Sequence, residues 1–302
     1  MLTLRSRLMT PLAVALCASL CPLPLAACGG THSASTATRS TPRPIGAPRG
    51  AIGPPRRVDL HAVRRAAANT LTQKVMIAVK VAPSSPTSPV VTGSGSFDLR
   101  RAAGKVVVQN PHGFESVIFE PAGVFDRPAP DGPGSLPKGR PWIRADYDDG
   151  LTLDGAPPFL LACESADIGF FLAEAAWGAR TAVPLGRPVV NHAPATGYLV
   201  HVDLERAVAA ATGPRAQGFV RIAKLLKRIG WRGGRGSHQT MRLWVDRSGR
   251  VVAVRASLPL SGISDTVMTI TRFGGLAVDP ASPARNQVVD LAALTAGGDD
   301  GD

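Results

Sequence analysis

Short runs of alternating apolar residues, separated by turns rich in proline and glycine, fill residues 74–146. In the first run, Val75, Ile77 and Val79 alternate with Lys, Met and Ala, which is the period of a half-buried strand. Most connections are too short to hold the crossover that two parallel neighbours require, so the sequence predicts a mainly antiparallel sheet. Further strands are predicted in this part of the chain at 90–99, 105–109, 116–120, 124–127 and 142–146.

Two stretches of the first 180 residues have helical rather than strand spacing. Val63, Ala67 and Leu71 recur at intervals of four, which predicts a helix over 59–71. Residues 158–179 are apolar over most of their length and predict one or two buried helices. A membrane span is disfavoured there because three acidic residues interrupt the stretch, namely Glu164, Asp167 and Glu174.

The C-terminal third mixes strands with two further helices. Asp203 is placed to cap a helix over 204–211, and a helix with one apolar face follows at 215–229. Strands are predicted at 198–203, 241–245, 250–258 and 265–273, of which the second and third form a hairpin. Helices at the front, middle and late positions of a strand-rich chain predict the α+β class.

The N-terminal segment has the anatomy of a bacterial secretory signal. Two arginines precede an apolar run, residues 8–20, that is too short for a permanent membrane span. The sequence Leu-Ala-Ala-Cys-Gly follows at 25–29 and resembles the lipobox at which bacterial lipoproteins are cleaved and acylated. We expect residues 1–27 to be removed and Cys28 to carry a diacylglycerol and an acyl chain such as palmitate. The alternative is an ordinary secreted protein in which Cys28 is incidental.

Composition divides the rest of the chain into three segments. Residues 28–57 are rich in Ser, Thr, Pro, Gly and Arg and hold almost no large apolar side chains, so we expect a flexible tether. A folded domain over 58–296 and a disordered tail over 297–302 follow. After residues 1–27 are removed, Cys163 is the only cysteine besides Cys28, so the fold depends on its apolar core rather than on an internal disulfide.

The chain carries 34 Lys and Arg residues against 22 Asp and Glu residues, a formal net charge of +12. Nearly all the basic residues are Arg, which beside abundant Ala, Gly and Pro is typical of a GC-rich coding sequence and needs no partner. The alternative is a binding role. The basic residues between Arg39 and Lys74, and those of the helix at 215–229, could contact anionic lipid headgroups, or they form a solvated linker and a solvated helix surface.

The motifs of enzymes and metal sites are matched only superficially. Ser135-x-x-Lys138 matches the nucleophile motif of penicillin-binding enzymes as a string, but the neighbouring Pro and Gly residues prevent the helix that this motif needs. The acidic residues around Tyr147 are typical of a solvated turn, and the six histidines lack zinc spacing. We therefore expect no enzyme activity, metal or cofactor. Nucleic acid is not expected as a partner, because most aromatic residues lie in apolar runs.

Four segments together resemble a known family. They are GSGSFDL at 93–99, RPWIRAD at 140–146, YLVHVDLERAVAA at 198–210 and MRLWVDRSGRVVAVRASL at 241–258. In this order behind a lipobox they are similar to the LppX/LprG-like lipoproteins of actinobacteria, which are relatives of the LolA and LolB carriers. The resemblance implies a strongly curved antiparallel sheet, a half-barrel whose concave face is covered by helices. One departure is at 191–196, where relatives often carry a glycine-rich strand.

The resemblance further implies an apolar cavity that holds the acyl chains of a lipid or glycolipid, in a protein anchored on the extracytoplasmic face of the cell membrane. The alternative is an envelope sensor or assembly factor that binds a protein partner and fills the cavity with its own side chains. Small residues facing the cavity would favour the carrier. The expected wall residues, each of which could instead be ordinary core, are Val75, Ile77, Val79, Phe97, Phe119, Leu160, Phe170, Phe171 and Trp177.

Overall fold

The computed structural model describes residues 60–83, 89–110, 112–130, 136–146, 167–228, 238–258, 263–275, 277–278 and 280–296. The predicted signal peptide, tether and C-terminal tail lie outside these residues, as do Cys28 and Leu160.

The described residues form a sheet of 13 strands. Every strand expected from the alternating pattern is present, with ends that shift by a few residues. The strands are β1 Lys74–Pro83, β2 Val91–Asp98, β3 Ala103–Asn110, β4 Gly113–Glu120, β5 Gly123–Arg127, β6 Trp142–Asp146, β7 Ala179–Gly186, β8 Val189–Val190, β9 Ala193–Asp203, β10 His238–Asp246, β11 Val251–Leu258, β12 Ile263–Phe273 and β13 Val288–Asp290.

The strand order is β13-β6-β5-β4-β3-β2-β1-β12-β11-β10-β9-β7, and the short strand β8 pairs with β9. Neighbours along this path are antiparallel, except that β13 runs parallel to β6. The path does not close, because β13 and β7 are its two ends, and the sheet is curved. The predicted class, a curved and mainly antiparallel α+β fold, is confirmed.

Five helices accompany the sheet in the described residues. They are α1 Leu60–Leu71, α2 Ile168–Gly178, α3 Leu204–Ala210, α4 Ala216–Arg228 and α5 Leu291–Ala296. Helix α2 lies against both α1 and α3. Its residues from Ile168 to Ala175 are all buried, as expected of a helix that is apolar all round. The predicted cap is confirmed, since the Asp203 carboxylate accepts a hydrogen bond from the backbone N–H of Arg206 at 3.0 Å.

The apolar core lies between the helices and one face of the sheet, which we call the inner face. On β1, Val75, Ile77 and Val79 belong to this core, while Met76 and Lys80 lie on the opposite, outer face and are exposed. Polar contacts fix α1 over the sheet. The buried Thr70 hydroxyl donates to Ala66 O at 2.8 Å and accepts from the backbone N–H of Val251 on β11 at 2.9 Å.

The segment that departs from the family pattern forms a tight hairpin between β8 and β9. Asn191 and His192 both have positive φ, 49° and 62°, as a two-residue turn of this kind requires. The Asn191 side-chain amide donates to Ile270 O on β12 at 2.7 Å. The hairpin is therefore held against a strand that is not its neighbour in the sheet.

Candidate functional site

The predicted wall residues of the sheet point to the inner face. Val75, Ile77 and Val79 on β1 are at most 3% exposed. Phe97 on β2 and Phe119 on β4 are as deeply buried, and their ring centroids lie 5.4 Å apart. The strand between them, β3, has a glycine at the position paired with both. The sheet thus presents a continuous apolar surface to the helices.

Aromatic side chains of α2 and α4 form a second wall of the same apolar core. Phe170 lies with its centroid 5.6 Å from that of Phe171 and 5.4 Å from that of Phe219. Trp177, two helical turns further along α2, meets Phe219 edge to face at 5.2 Å. Phe219 on α4 therefore connects both ends of α2. The sequence indicated an apolar face on α4 but gave no signal that this face meets α2, so Phe219 was not among the expected wall residues.

The structure brings the expected wall residues together. Of the nine, the seven aliphatic and phenylalanine residues that it describes belong to one apolar cluster, and Trp177 packs against that cluster half-buried. Leu160 lies outside the described residues. Side chains of this kind contact alkyl groups by dispersion and exclude water, and they offer no group for covalent chemistry.

Three glycines lie on the inner face of β2 and β3, where small residues were expected to favour a cavity. A Cβ atom on Gly93 or Gly95 would lie 2.5 Å from a carbonyl oxygen of β3. A Cβ on Gly104 would collide with the ring of Phe97. These glycines are therefore required by the close approach of strands and rings, and they do not distinguish a ligand cavity from a filled core.

A buried carboxyl group faces the core from α2. Glu174 is fully buried, and Gln239 on β10, with its amide nitrogen turned to the carboxyl, donates to Oε1 and Oε2 at 2.5 and 2.9 Å. Burial raises the pKa of Glu174 well above its ordinary value. The carboxyl group is therefore readily protonated, which reduces the free-energy penalty of placing it among apolar side chains.

A second polar cluster lies at the ends of β3, β4 and β5. The Asn110 amide donates to Glu115 Oε2 at 3.0 Å, and the Glu115 and Asp126 carboxyls share a hydrogen bond. Burial raises the pKa of Glu115, and burial together with repulsion from Glu115 raises the pKa of Asp126 well above its ordinary value. The other oxygen of the buried Asp126 carboxyl, Oδ1, has no hydrogen-bond partner among the described residues.

A buried ion pair fixes the start of α2. Asp167 caps the helix by accepting from the backbone N–H of Gly169 at 2.8 Å, and its other oxygen lies 2.5 Å from Arg215 Nη1, just before α4. The Arg215 guanidinium occupies the space where a side chain on Gly169 would lie. The pair therefore ties the residue that precedes α4 to the start of α2, the two helices whose aromatic side chains meet.

In the described ranges, no group of three or more His, Cys, Asp or Glu side chains is arranged to hold a metal ion. No described helix is both long and apolar enough to cross a membrane.

No protein-family model matches the chain, and no curated protein matches it. Among solved structures, it is similar to the lipoprotein LppX of Mycobacterium tuberculosis, at 13% identity over 73% of this chain and 97% of that one, with a TM-score of 0.41. It is similar to LprF of Mycobacterium bovis at 9% identity over 74% of this chain and 97% of that one, with a TM-score of 0.38. It is also similar to a LolA superfamily protein of Nitrosomonas europaea, at 9% identity over 73% of this chain and 93% of that one, with a TM-score of 0.28. The solved structures similar to this chain thus include members of the family that the sequence resembles. At such identities and TM-scores nothing about function follows from the likeness.

Proposed function

We propose that this chain is an envelope lipoprotein that binds the acyl chains of a lipid or glycolipid between the inner face of its sheet and helices α2 and α4. The observation that carries the proposal is one apolar cluster to which both the sheet and the helices contribute. Valine, isoleucine and phenylalanine side chains line the inner face of the sheet, and Phe170, Phe171, Trp177 and Phe219 form an aromatic wall on α2 and α4. An alkyl chain between these walls is sheltered from water along its length.

The polar groups at this interior favour an uncharged headgroup. Glu115, Asp126 and Glu174 all have raised pKa values, so an anionic group placed beside them would oppose any carboxyl that ionises. Hydroxyl groups of a sugar or polyol could instead donate to the free oxygen of Asp126. A glycolipid combines such a headgroup with acyl chains.

The proposed location follows from the N-terminal sequence. Acyl chains on Cys28 would anchor the protein on the extracytoplasmic face of the cell membrane. The tether over 28–57 would hold the domain at a root-mean-square distance of about 30 Å from the anchor, by the scaling of flexible chains. A carrier at that distance can reach the bilayer from which it takes its lipid.

The test is mass spectrometry of an organic extract from the purified protein, with the residual protein sample analysed for polypeptides. We expect a lipid in a molar ratio near one to the protein. An extract without lipid, from a protein that instead copurifies with one polypeptide, would reject the carrier and favour the envelope sensor or assembly factor.

A further inference from the structure

Many acidic side chains of the chain are buried, whereas most basic side chains lie on its surface. Five of the described acidic side chains are buried, namely Asp98, Asp126, Asp167, Glu174 and Asp203. Of the acidic residues that the structure describes, only Glu205 and Asp290 are exposed. Basic side chains are mostly exposed, so the surface is more cationic than the net charge of the sequence indicates.

Five exposed basic residues lie on the outer face of the central strands. They are Lys80, Lys105, Arg242, Arg255 and Arg272, and we call this set the outer cationic face. Three of them lie in one row across four strands. Arg242 on β10 is directly opposite Arg255 on β11, and Arg255 is opposite Val267 on β12, which in turn is opposite Lys80 on β1. At about 4.8 Å between strands, the row spans about 14 Å.

The positive charge of this face is largely uncompensated. Asp265 forms an ion pair with Arg255, at 2.6 Å. In the described part of the chain, Lys80, Lys105, Arg242 and Arg272 have no ion pair of their own. Like charges directly opposite each other on two strands repel, so an anionic surface that meets the row would relieve this repulsion.

An exposed aromatic residue continues the same row. Beyond Lys80 the register passes through Thr92 on β2 and Gln109 on β3 to Phe114 on β4, whose side chain is 65% exposed. Phe114 lies three strands, about 14 Å, from Lys80. At that distance its ring can enter the headgroup region of a bilayer while the basic residues meet anionic lipid. The predicted lipid anchor and tether keep the domain near such a surface.

We propose that the outer cationic face, with Phe114 at its margin, docks on a bilayer that contains anionic phospholipid. The arrangement leaves the apolar interior, on the other side of the sheet, free to bind acyl chains. This inference does not rest on the proposed acyl-chain binding, because it depends only on the outer face.

The experiment measures sedimentation of protein with vesicles, using the mature chain, residues 28–302, with Cys28→Ala so that neither the signal peptide nor an acyl anchor contributes. Vesicles contain 30 mol% phosphatidylglycerol in phosphatidylcholine, or phosphatidylcholine alone. The test variant adds K80Q, R242Q and R272Q. The matched control removes three exposed charges elsewhere, with R187Q, R206Q and R285Q. A third variant, K80R/R242K/R272K, keeps the charges.

We expect the test variant to bind the anionic vesicles about a hundredfold more weakly, since each basic residue near a charged membrane contributes about a fivefold increase in binding. The matched control and the charge-keeping variant should bind within a few fold of the parent. The proposal is overturned if the control loses as much binding as the test variant, or if binding is equal without phosphatidylglycerol. Binding to a soluble polyanion such as single-stranded DNA, with none to vesicles, would also overturn it.

Discussion

Phe171 is the residue at which a ligand space and a filled core differ most clearly. Its side chain is fully buried on α2 against Phe170. Truncating a phenylalanine in a packed core costs about 3–5 kcal/mol, because a new cavity remains. Where a ligand space already exists, the truncation only enlarges it. We therefore predict that Phe171→Ala lowers lipid occupancy while the midpoint of thermal unfolding falls by only a few degrees.

Phe125→Ala is a matched control for that variant. Phe125 is a buried phenylalanine on the outer face of β5, where its ring lies beside the Arg144 guanidinium. Its truncation should destabilise the fold and leave the lipid occupancy of folded molecules unchanged. If Phe171→Ala behaves in the same way as this control, Phe171 belongs to the core and the cavity assignment is wrong.

Glu174 gives a prediction on pH. Burial raises the pKa of Glu174 in the folded state above the ordinary carboxyl pKa of about 4.3. At pH values between these two pKa values, the folded state binds more protons than the unfolded state. The free energy of unfolding therefore falls as pH rises through that interval. Glu174→Gln removes this dependence and keeps an amide beside Gln239. We predict that the variant is more stable than the parent at pH 7 and that the difference shrinks towards pH 4.

Chemical denaturation of parent and variant at several pH values between 4 and 8 measures this difference. The other titrating groups are common to both proteins and cancel. A difference that is constant with pH would contradict the assigned burial of the charge.

The sequence predicts the position of a residue correctly where that position depends on its neighbours in the chain. Alternation alone placed Val75, Ile77 and Val79 on the inner face, because side chains on a strand point to opposite sides in turn. From the sequence alone, Glu174 argues only against a membrane span. Its partner Gln239 lies on a distant strand, and no local pattern indicates such a pair.

At the scale of elements, the caps are the most testable local feature. Asp203 caps α3 and lies 2.5 Å from Arg180 Nη2, but that arginine is half exposed, so the cap should be the larger contribution. We predict that Asp203→Ala lowers the free energy of unfolding by about 1–2 kcal/mol and that Asp203→Asn, whose amide oxygen still caps, lowers it by much less. Urea denaturation measures both, and equal losses would assign the effect to the ion pair.

Sequence reasoning missed β7, β8, β13 and α5, of which β7, Ala179–Gly186, is the longest. Among the described strands β7 lies at the edge of the sheet, so one side of it pairs with none of them, and Pro184 is tolerated there. Exposed residues such as Val183 and Leu185 break the alternation that revealed the other strands. Its register against β9 also shifts twice. By contrast, the predicted helix over 59–71 and the hairpin of β10 and β11 depend on local periodicity and turn residues, and both are confirmed.

At the scale of the whole molecule, the antiparallel class followed from the short connections, but the strand order did not. Strand β12 lies between β1 and β11, so the sheet joins residues almost 200 positions apart, as at Met76 and Arg272. The parallel pairing of β13 with β6 is also set by contacts distant in sequence. The resemblance to LppX-like lipoproteins supplied the expectation of a curved sheet that spacing alone could not.

Membrane attachment is tested by the two cysteines outside the signal peptide. We predict that, in membranes washed with high salt to release electrostatic docking, Cys28→Ala moves the protein from the membrane fraction to the soluble one and abolishes the mature N-terminus at residue 28, because no diacylglycerol can be attached. Cys163→Ala is the matched control and should leave fractionation unchanged. An unchanged membrane fraction for Cys28→Ala, with an unshifted N-terminus, would reject the lipid anchor.

The central claim, that acyl chains lie between the inner face and α2, is tested most directly by photocrosslinking. A fatty-acyl probe with a diazirine near the end of its chain is bound to the purified protein and irradiated, and the labelled residues are mapped by peptide mass spectrometry. The account predicts labels on α2, around Phe170 and Phe171, and on the inner side of β1, around Ile77. Labelling confined to outer-face residues such as Phe114 would contradict it.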